Sequence, residues 1–295
     1  MNHDWIDDIL AVIDAGSFAA ASARRNITQS AFTRRIRSIE ATLGADIFDR
    51  RRKPVSLAAA MRPHEPELRR LAAEMGNLRQ TLRAATEGSG RALTLTCQHA
   101  LTATISPALV RRLTGHGWDS VRVRSGNRGE CLLQLISGET DIVVTYDDDD
   151  GSLEIPPYNA LDSITLGTDL LIPLCQPGLL SASPERLPVI AYPPDVFLGR
   201  LLEQRLWRQL PAGTHLDKRA ETALTLAAQR YALDGIGIAW LPRSLAAEDI
   251  AAGRLVRAPA AGPDCPLLIR LLRLPHPQRR VLEQAWSLLQ APVVT

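Results

Sequence analysis

Residues 17–50 read SFAAASARRNITQSAFTRRIRSIEATLGADIFDR, and the order of caps, small residues and arginines in this stretch decides the N-terminal architecture. Ser17 is placed to cap a short helix from Phe18 to about Arg25, in which Ala20 and Ala21 are small enough for close helix packing. Asn26 and Ile27 make the turn. Thr28 is a good N-cap for the next helix, with Ile27 before it and Phe32 after it placed as a hydrophobic staple. Phe32, Ile36, Ile39 and Leu43 hold one apolar face, and Gly44 stops the helix. The other face carries Gln29, Ser30, Thr33, Arg34 and Arg37. Short hydrogen-bonding groups lead and arginine follows, the layout of a helix that meets base edges in a major groove with its N-terminal residues.

The flanks agree with this. Upstream, Asp4 is expected to cap a helix with Trp5, Ile6, Ile9, Leu10 and Ile13 on one face, and Gly16 to end it. Downstream, Asp46 to Leu57 reads as two short strands with Arg50, Arg51, Arg52 and Lys53 at their turn. A basic hairpin after a helix-turn-helix is a wing, suited to phosphate or minor-groove contact. The candidate DNA contacts are therefore Thr28, Gln29, Ser30, Thr33, Arg34, Arg37, Arg50, Arg51, Arg52 and Lys53. An isolated helix with a polar face is ordinarily just solvated. Here the helix triplet, the staple and the basic turn occur together, which that reading does not explain.

Charge is distributed in the same way. The 295 residues carry a formal net charge of +2. Residues 1–14 hold Asp4, Asp7, Asp8 and Asp14 and no Lys or Arg, whereas 15–53 hold eight arginines and Lys53 against Glu40, Asp46 and Asp49. Beyond Lys53 there are 25 basic and 25 acidic residues. A basic segment on a neutral body fits a phosphate-binding head. The length suggests two or three domains, and 45% apolar residues suffice for a buried core. No apolar run approaches the ~18 residues of a membrane span, and the start lacks the basic and apolar regions of a signal peptide, so a cytoplasmic protein is expected. Cys97, Cys131, Cys175 and Cys265 are far apart and form no CxxC, which suggests neither zinc nor a disulfide framework. No GxSxG, HExxH, P-loop or GxGxxG occurs; no enzyme, metal or cofactor is expected.

The 17–50 stretch resembles the signature of the LysR-type transcriptional regulators, matching at Ala20, Ala21, Gln29, Arg34, Ile36, Glu40, Leu43, Gly44, Phe48 and Arg50. DGIGIAWLP at 234–242 resembles a characteristic strand of that family's effector domain. Arg25 stands where leucine is usual. Together with NITQSAFTRRIRSIE, LGRLL at 198–202 and GIAWLP, it is similar to the hypochlorite-responsive regulators of the family. Those are thought to sense hypochlorite through methionine oxidation, but Met1, Met61 and Met75 are the only methionines here and none lies in the sensor region. LAAAM at 57–61 also departs from the usual Leu-Thr followed by glycine.

Arg62 to Ala85 is expected to be one long helix, with Pro63 and Pro66 tolerable in its first turns. Leu68, Met75 and Leu82 recur every seven residues, beside Leu71, Leu78 and Ala85, with Arg69, Arg70, Arg79 and Arg83 on the flanks. Such a seam can pack on its own chain or on a second copy. The resemblance implies dimerisation through Leu68, Leu71, Met75, Leu78 and Leu82, in a dimer or tetramer. Residues 86–91 (TEGSGR) have the composition of a hinge.

From Ala92 strands and helices alternate. A βαβαβ order through Leu93–Cys97, Val121–Val123 and Asp141–Tyr146 implies a parallel sheet covered by helices. Ser163–Cys175, Pro188–Ala191 and Gly235–Leu241 suggest a second α/β lobe, and Leu267–Leu272 can return to the first. The expected fold class is thus α/β. It comprises a winged helix-turn-helix at 1–58, a linker helix at 59–87, and a two-lobed effector domain at 88–295 resembling periplasmic binding proteins. Lobe I covers about 91–161 and 268–295, and lobe II about 162–267.

Ligands of open parallel sheets bind outside the carboxyl ends of strands. That rule points to Gln98, His99, Ala100, Thr102 and Tyr146 in lobe I, and to Phe197, Leu198, Gly199, Glu221 and Thr222 in lobe II. His99 is matched in the hypochlorite-responsive relatives, although a lone histidine is more often a surface or satisfied one. Asp147–Asp150 is read as a solvated strand-end turn rather than a metal site. Cys97, beside the pocket, is the candidate redox residue. The expected partners are a double-stranded DNA operator, a small-molecule effector and a second copy of the chain. The alternatives are a cysteine-based oxidant sensor, or a solute-binding or catalytic α/β protein that binds no DNA.

Overall fold

The computed structural model describes residues 3–25, 27–51, 53–86, 91–148, 161–181, 186–275 and 279–290. The chain divides into two units, Met1–Thr86 with Ile136–Glu139, and Glu87–Leu135 with Thr140–Thr295.

In the first unit, α1 (His3–Ala15), α2 (Phe18–Arg24) and α3 (Gln29–Leu43) are followed by β1 (Phe48–Asp49), β2 (Ser56–Leu57) and, after one 3₁₀ turn at Arg62–His64, α4 (Glu65–Thr86). Local chemistry accounts for the boundaries. Ser17 Oγ accepts from the Ala20 amide at 3.2 Å and Thr28 Oγ1 from the Ala31 amide at 3.4 Å, so both side chains cap as their positions suggest. Gly44 ends α3 at φ +68°, a conformation that costs glycine nothing. Ile9, Val12, Ala21, Phe32, Ile36, Ile39, Phe48 and Leu57 form the buried core, and Ile27 packs at its edge as the staple requires.

Two details correct the sequence reading. Helix α1 begins at His3, which puts Asp4 inside the first turn rather than at the cap. On α3 the last core position is Glu40, while Leu43 is exposed. Glu40 tolerates burial because its Oε1 accepts from the Ile47 and Phe48 amides at 3.1 and 3.4 Å, and its Oε2 binds Arg50. The carboxylate thereby ties the hairpin to the helix.

The leucine seam of α4 divides in two. Leu68 and Leu71 pack against the buried cluster that includes Ile6 and Leu10 of α1, whereas Met75, Leu78 and Leu82 are exposed. The Ala85 side chain lies outside the described residues.

The second unit contains β3 (Ala92–Gln98), α5 (His99–Thr104), α6 (Ser106–Thr114), β4 (Ser120–Gly126), α7 (Arg128–Ile136), β5 (Ile142–Asp148), β6 (Asp162–Cys175), β7 (Arg186–Ala191), α8 (Phe197–Leu201), β8 (His215–Glu221), α9 (Thr225–Leu233), β9 (Ile238–Pro242), α10 (Arg243–Ala251), β10 (Val256–Arg257), β11 (Cys265–Arg273) and α11 (Arg280–Leu289). Among the described residues, nine strands form one mixed sheet, ordered β4-β3-β5-β11-β6-β9-β7-β8, with β10 paired to β6. Strand β3 runs parallel to β4 and β5, and β7 parallel to β8 and β9, so each half is a parallel α/β lobe. Antiparallel β6 and β11 join them: β11 pairs with β5 on one side and β6 on the other, and β6 continues to β9. The sequence signals located β6, β7, β9 and β11 but not β8 or β10. Strand β8 (HLDKRAE) is a polar strand at the sheet edge, and charge at an edge hides the apolar alternation that marks interior strands.

Candidate nucleic-acid interface and ligand cleft

On the first unit, Thr28, Gln29, Ser30, Thr33, Arg34 and Arg37 line one open concavity along α3. Thr28, Gln29, Ser30, Arg34 and Arg37 are exposed and Thr33 is half-buried. The intervening Arg35 faces the other way, with Nη2 2.7 Å from Asp8 Oδ2. Asp8 is wholly buried and also accepts from Arg25 Nε at 2.8 Å. The wing divides similarly. Arg51 and Lys53 are exposed, but Arg50 is held by Glu40 and stands 5.3 Å over the Phe18 ring. Arg50, although exposed, thereby ties the hairpin to α3 and the Phe18 ring. Arg52 lies outside the described residues. The basic segment is less basic on its surface than its composition suggests, because α1 and Glu40 neutralise Arg25, Arg35 and Arg50.

In the second unit, the strand-end rule identifies a cleft but not all of its walls. Gln98, His99, Asn127, Arg128, Tyr192, Val196, Phe197, Leu198, Ala223 and Thr225 line a narrow cleft with room for about one water molecule. Gln98, His99, Phe197 and Leu198 were expected there. Asn127 and Arg128, between β4 and α7, were not. Asn127 and Glu130 form a reciprocal capping box: the Asn127 amide donates to Glu130 Oε2 at 2.8 Å and the Glu130 amide to Asn127 Oδ1 at 3.0 Å. This fixes Arg128 at the first turn of α7 with its side chain pointing inward. Its guanidinium is 1% exposed, lies 2.7 Å from Asp147 Oδ1 and stacks 4.6 Å from the Phe197 ring centroid. The N-x-x-E spacing preceding an apolar helix was the signal that could have located it.

The remaining candidates serve the walls or the scaffold. Strand β5 extends to Asp148, so Tyr146 lies within the strand; its hydroxyl donates to Asp169 Oδ2 at 2.8 Å, a carboxylate that also accepts from Ser244 Oγ at 2.5 Å. Burial and Asp169 together push the Tyr146 hydroxyl well above its ordinary pKa, keeping it a donor. Its backbone amide donates to Gln98 Oε1 at 3.0 Å, which orients that cleft residue. Asp147 and Asp148 are buried in β5 rather than solvated, because Asp147 neutralises Arg128; Asp149 and Asp150 lie outside the described residues. Ala100 is buried, and Thr102 donates to the Cys97 carbonyl at 3.2 Å. Gly199 is needed for packing: a Cβ there would meet the Pro193 carbonyl oxygen at 1.9 Å. Glu221 and Thr222 fall just short of the wall, which Ala223 and Thr225 supply. His99 Nδ1 is 2.9 Å from Ser125 Oγ; burial lowers its pKa, partly opposed by Glu130. Cys97 is fully buried and its thiol is pushed up to about 12 by desolvation, so it is a packing residue without the exposed, acidic thiol of a redox sensor. Among the described residues no His, Cys, Asp and Glu side chains cluster as a metal site.

Residues 4–62 match the bacterial regulatory helix-turn-helix model of the lysR family, and residues 86–291, most of the chain, match the LysR substrate binding domain. The chain belongs to the LysR family. It is similar to the HTH-type transcriptional regulator YjiE of Escherichia coli K12, at 26% identity over 85% of this chain and 82% of YjiE. The fold is shared with full-length HypT of Salmonella typhimurium, a hypochlorite-specific LysR-type regulator, at 24% identity, TM-score 0.58, and coverage of 98% of this chain and 97% of HypT. It is also shared with Vibrio fischeri DarR in complex with DNA, at 23% identity, TM-score 0.56, and 98% of both chains. The chain is thus a LysR-type transcriptional regulator that joins a DNA-binding helix-turn-helix to an effector-responsive α/β domain. Among the described residues, no helix of this regulator is long and apolar enough to cross a membrane.

Proposed function

We propose that residues 1–58 of this regulator read an operator through Thr28, Gln29, Ser30, Thr33, Arg34 and Arg37, with Arg51, Arg52 and Lys53 on phosphate. In this reading residues 59–87 dimerise, and the cleft of residues 88–295 takes a small effector in the cytoplasm, without catalysing a reaction. The observation that carries this is the single exposed face of α3, where hydrogen-bonding side chains precede two arginines that have no ion pair among the described residues. Exposed Met75, Leu78 and Leu82 support a second copy along the outer half of α4. Arg34→Ala is expected to weaken binding to a selected operator by about 1–3 kcal/mol at unchanged thermal stability. An unchanged titration curve in fluorescence anisotropy at equal folded concentration defeats the assignment.

A second reading, an oxidant as the signal, is supported by likeness to HypT and by Arg25, LGRLL and GIAWLP. Methionine chemistry does not supply it in the effector domain, since Met1, Met61 and Met75 all precede that domain. Buried Cys97 is equally unsuited. A ligand that enters the cleft is therefore the favoured signal, and loss of the response on replacing Phe197 by alanine, with DNA affinity retained, distinguishes it from surface oxidation.

A further inference from the structure

The acidic start of the chain has a structural use that its charge alone does not reveal. Asp8, 0% exposed, binds Arg25 at the end of α2 and Arg35 on α3, at 2.8 and 2.7 Å. Asp14, six residues further along α1, binds Arg69 Nη2 of α4 at 2.7 Å, and the same nitrogen lies 2.9 Å from Glu65 Oε1. The side chains of Asp14 and Arg69 are each only 11% exposed. Burial opposes the charged guanidinium of Arg69, but Asp14 and then Glu65 outweigh it and keep it protonated. Six residues of helix advance the chain by about 9 Å and turn it by about 240°, so the two carboxylates leave α1 on different sides. One grips the helix that faces DNA, and the other grips the long helix.

Apolar contacts between α1 and α4, such as Leu68 and Leu71 on the cluster that holds Ile6 and Leu10, are non-directional and tolerate rotation or sliding. A nearly buried guanidinium–carboxylate contact does not, since any other arrangement leaves a charge desolvated and unpaired. We infer that Asp8 and Asp14 are positioning residues that hold α3 at a fixed angle to α4, so that in a dimer the Asp14–Arg69 pair sets which half-site spacing is accepted. This rests on the reading of α3 as the DNA-facing helix and α4 as the dimerising one. Arg69 uses two nitrogens of its guanidinium fork, Nε donating to Glu65 Oε1 at 3.1 Å while Nη2 donates to Glu65 and Asp14 together.

The test uses the full chain and a duplex that the wild type selects from a random pool. Anisotropy titrations then compare that duplex with versions whose half-sites are separated by about 5 bp more, half a turn of DNA, and with a single half-site. The wild type is expected to lose about tenfold or more on the displaced duplex. Asp14→Asn is expected to reduce that discrimination to about twofold while single half-site affinity and its salt slope stay within about twofold. If Asp14→Asn does not fold, Arg69→Lys, which keeps the charge but not the fork, takes its place with the same expectation. Spacing discrimination that persists in a folded variant overturns the inference. So does a variant that loses half-site affinity in step with spacing, since that reports only general damage. A wild type that selects no duplex instead refutes the DNA-binding reading beneath it.

Discussion

Helices α3 and α7 both start at a side-chain cap and both place arginine near the start, yet they turn it in opposite directions. On α3, Arg34 and Arg37 are exposed on the face shared with Thr28, Gln29 and Ser30. On α7, Arg128 is 1% exposed and is held inside the protein by Asp147 and the Phe197 ring. An arginine whose carboxylate partner is within the same chain shapes a cavity. One that has none stays hydrated until an external polyanion replaces its counterions. The contrast recurs within three residues of α3, where Arg35 turns inward to Asp8 between the outward Arg34 and Arg37. Net charge counts all of these alike; only burial separates those available to DNA.

The largest expected effect tests the inward case. Arg128→Ala leaves Asp147 buried with Arg270 Nε, 3.7 Å away, as its remaining ion pair among the described residues, and is expected to cost about 3–5 kcal/mol in urea unfolding. A cost below about 1 kcal/mol would mean that the pair is hydrated and that the contrast with α3 is one of degree. The outward case comes next. Arg37→Ala is expected to weaken operator binding by about 1–3 kcal/mol and reduce the slope of log K against log salt by about 1, whereas Arg35→Ala leaves the slope unchanged and lowers stability instead. Equal slopes for the two variants would erase the distinction between neighbouring arginines.

The smallest effect concerns Cys97. An unfolded thiol ionises near 9.0, but the folded one is pushed up to about 12. Folding is therefore favoured by the neutral thiol, fully below pH about 9, and this contribution is lost as pH rises toward about 12. Near neutral pH, a thiol reagent is expected to modify Cys97 only as fast as the domain opens, with Cys97→Ser as the mass-spectrometric control. Prompt labelling of the native protein would reopen the redox reading.

Local signals in the sequence were enough for the head. Ser17, Thr28 and Gly44 act on backbone groups within a few residues of themselves, and the apolar spacing of Phe32, Ile36 and Ile39 states which side of α3 is buried. Glu40 was hidden because its partners, the Ile47 and Phe48 amides and Arg50, belong to the following hairpin. In the effector domain the strand ends were legible where apolar runs stopped cleanly, as at Gln98, but β5 runs on to Asp148. An acidic run looks solvated until a buried arginine from another element meets it.

The sequence alone determined the order of the first three helices and the wing, most strands of the effector domain, the LysR resemblance and the polar face of α3. Each of these depends on periodicity and capping, which are local along the chain. Tertiary structure decided which charges are neutralised: Arg25 and Arg35 by Asp8, Arg50 by Glu40, Arg69 by Asp14 and Arg128 by Asp147. Coulomb attraction and desolvation depend on distance and burial in space, and neither is encoded by separation along the chain.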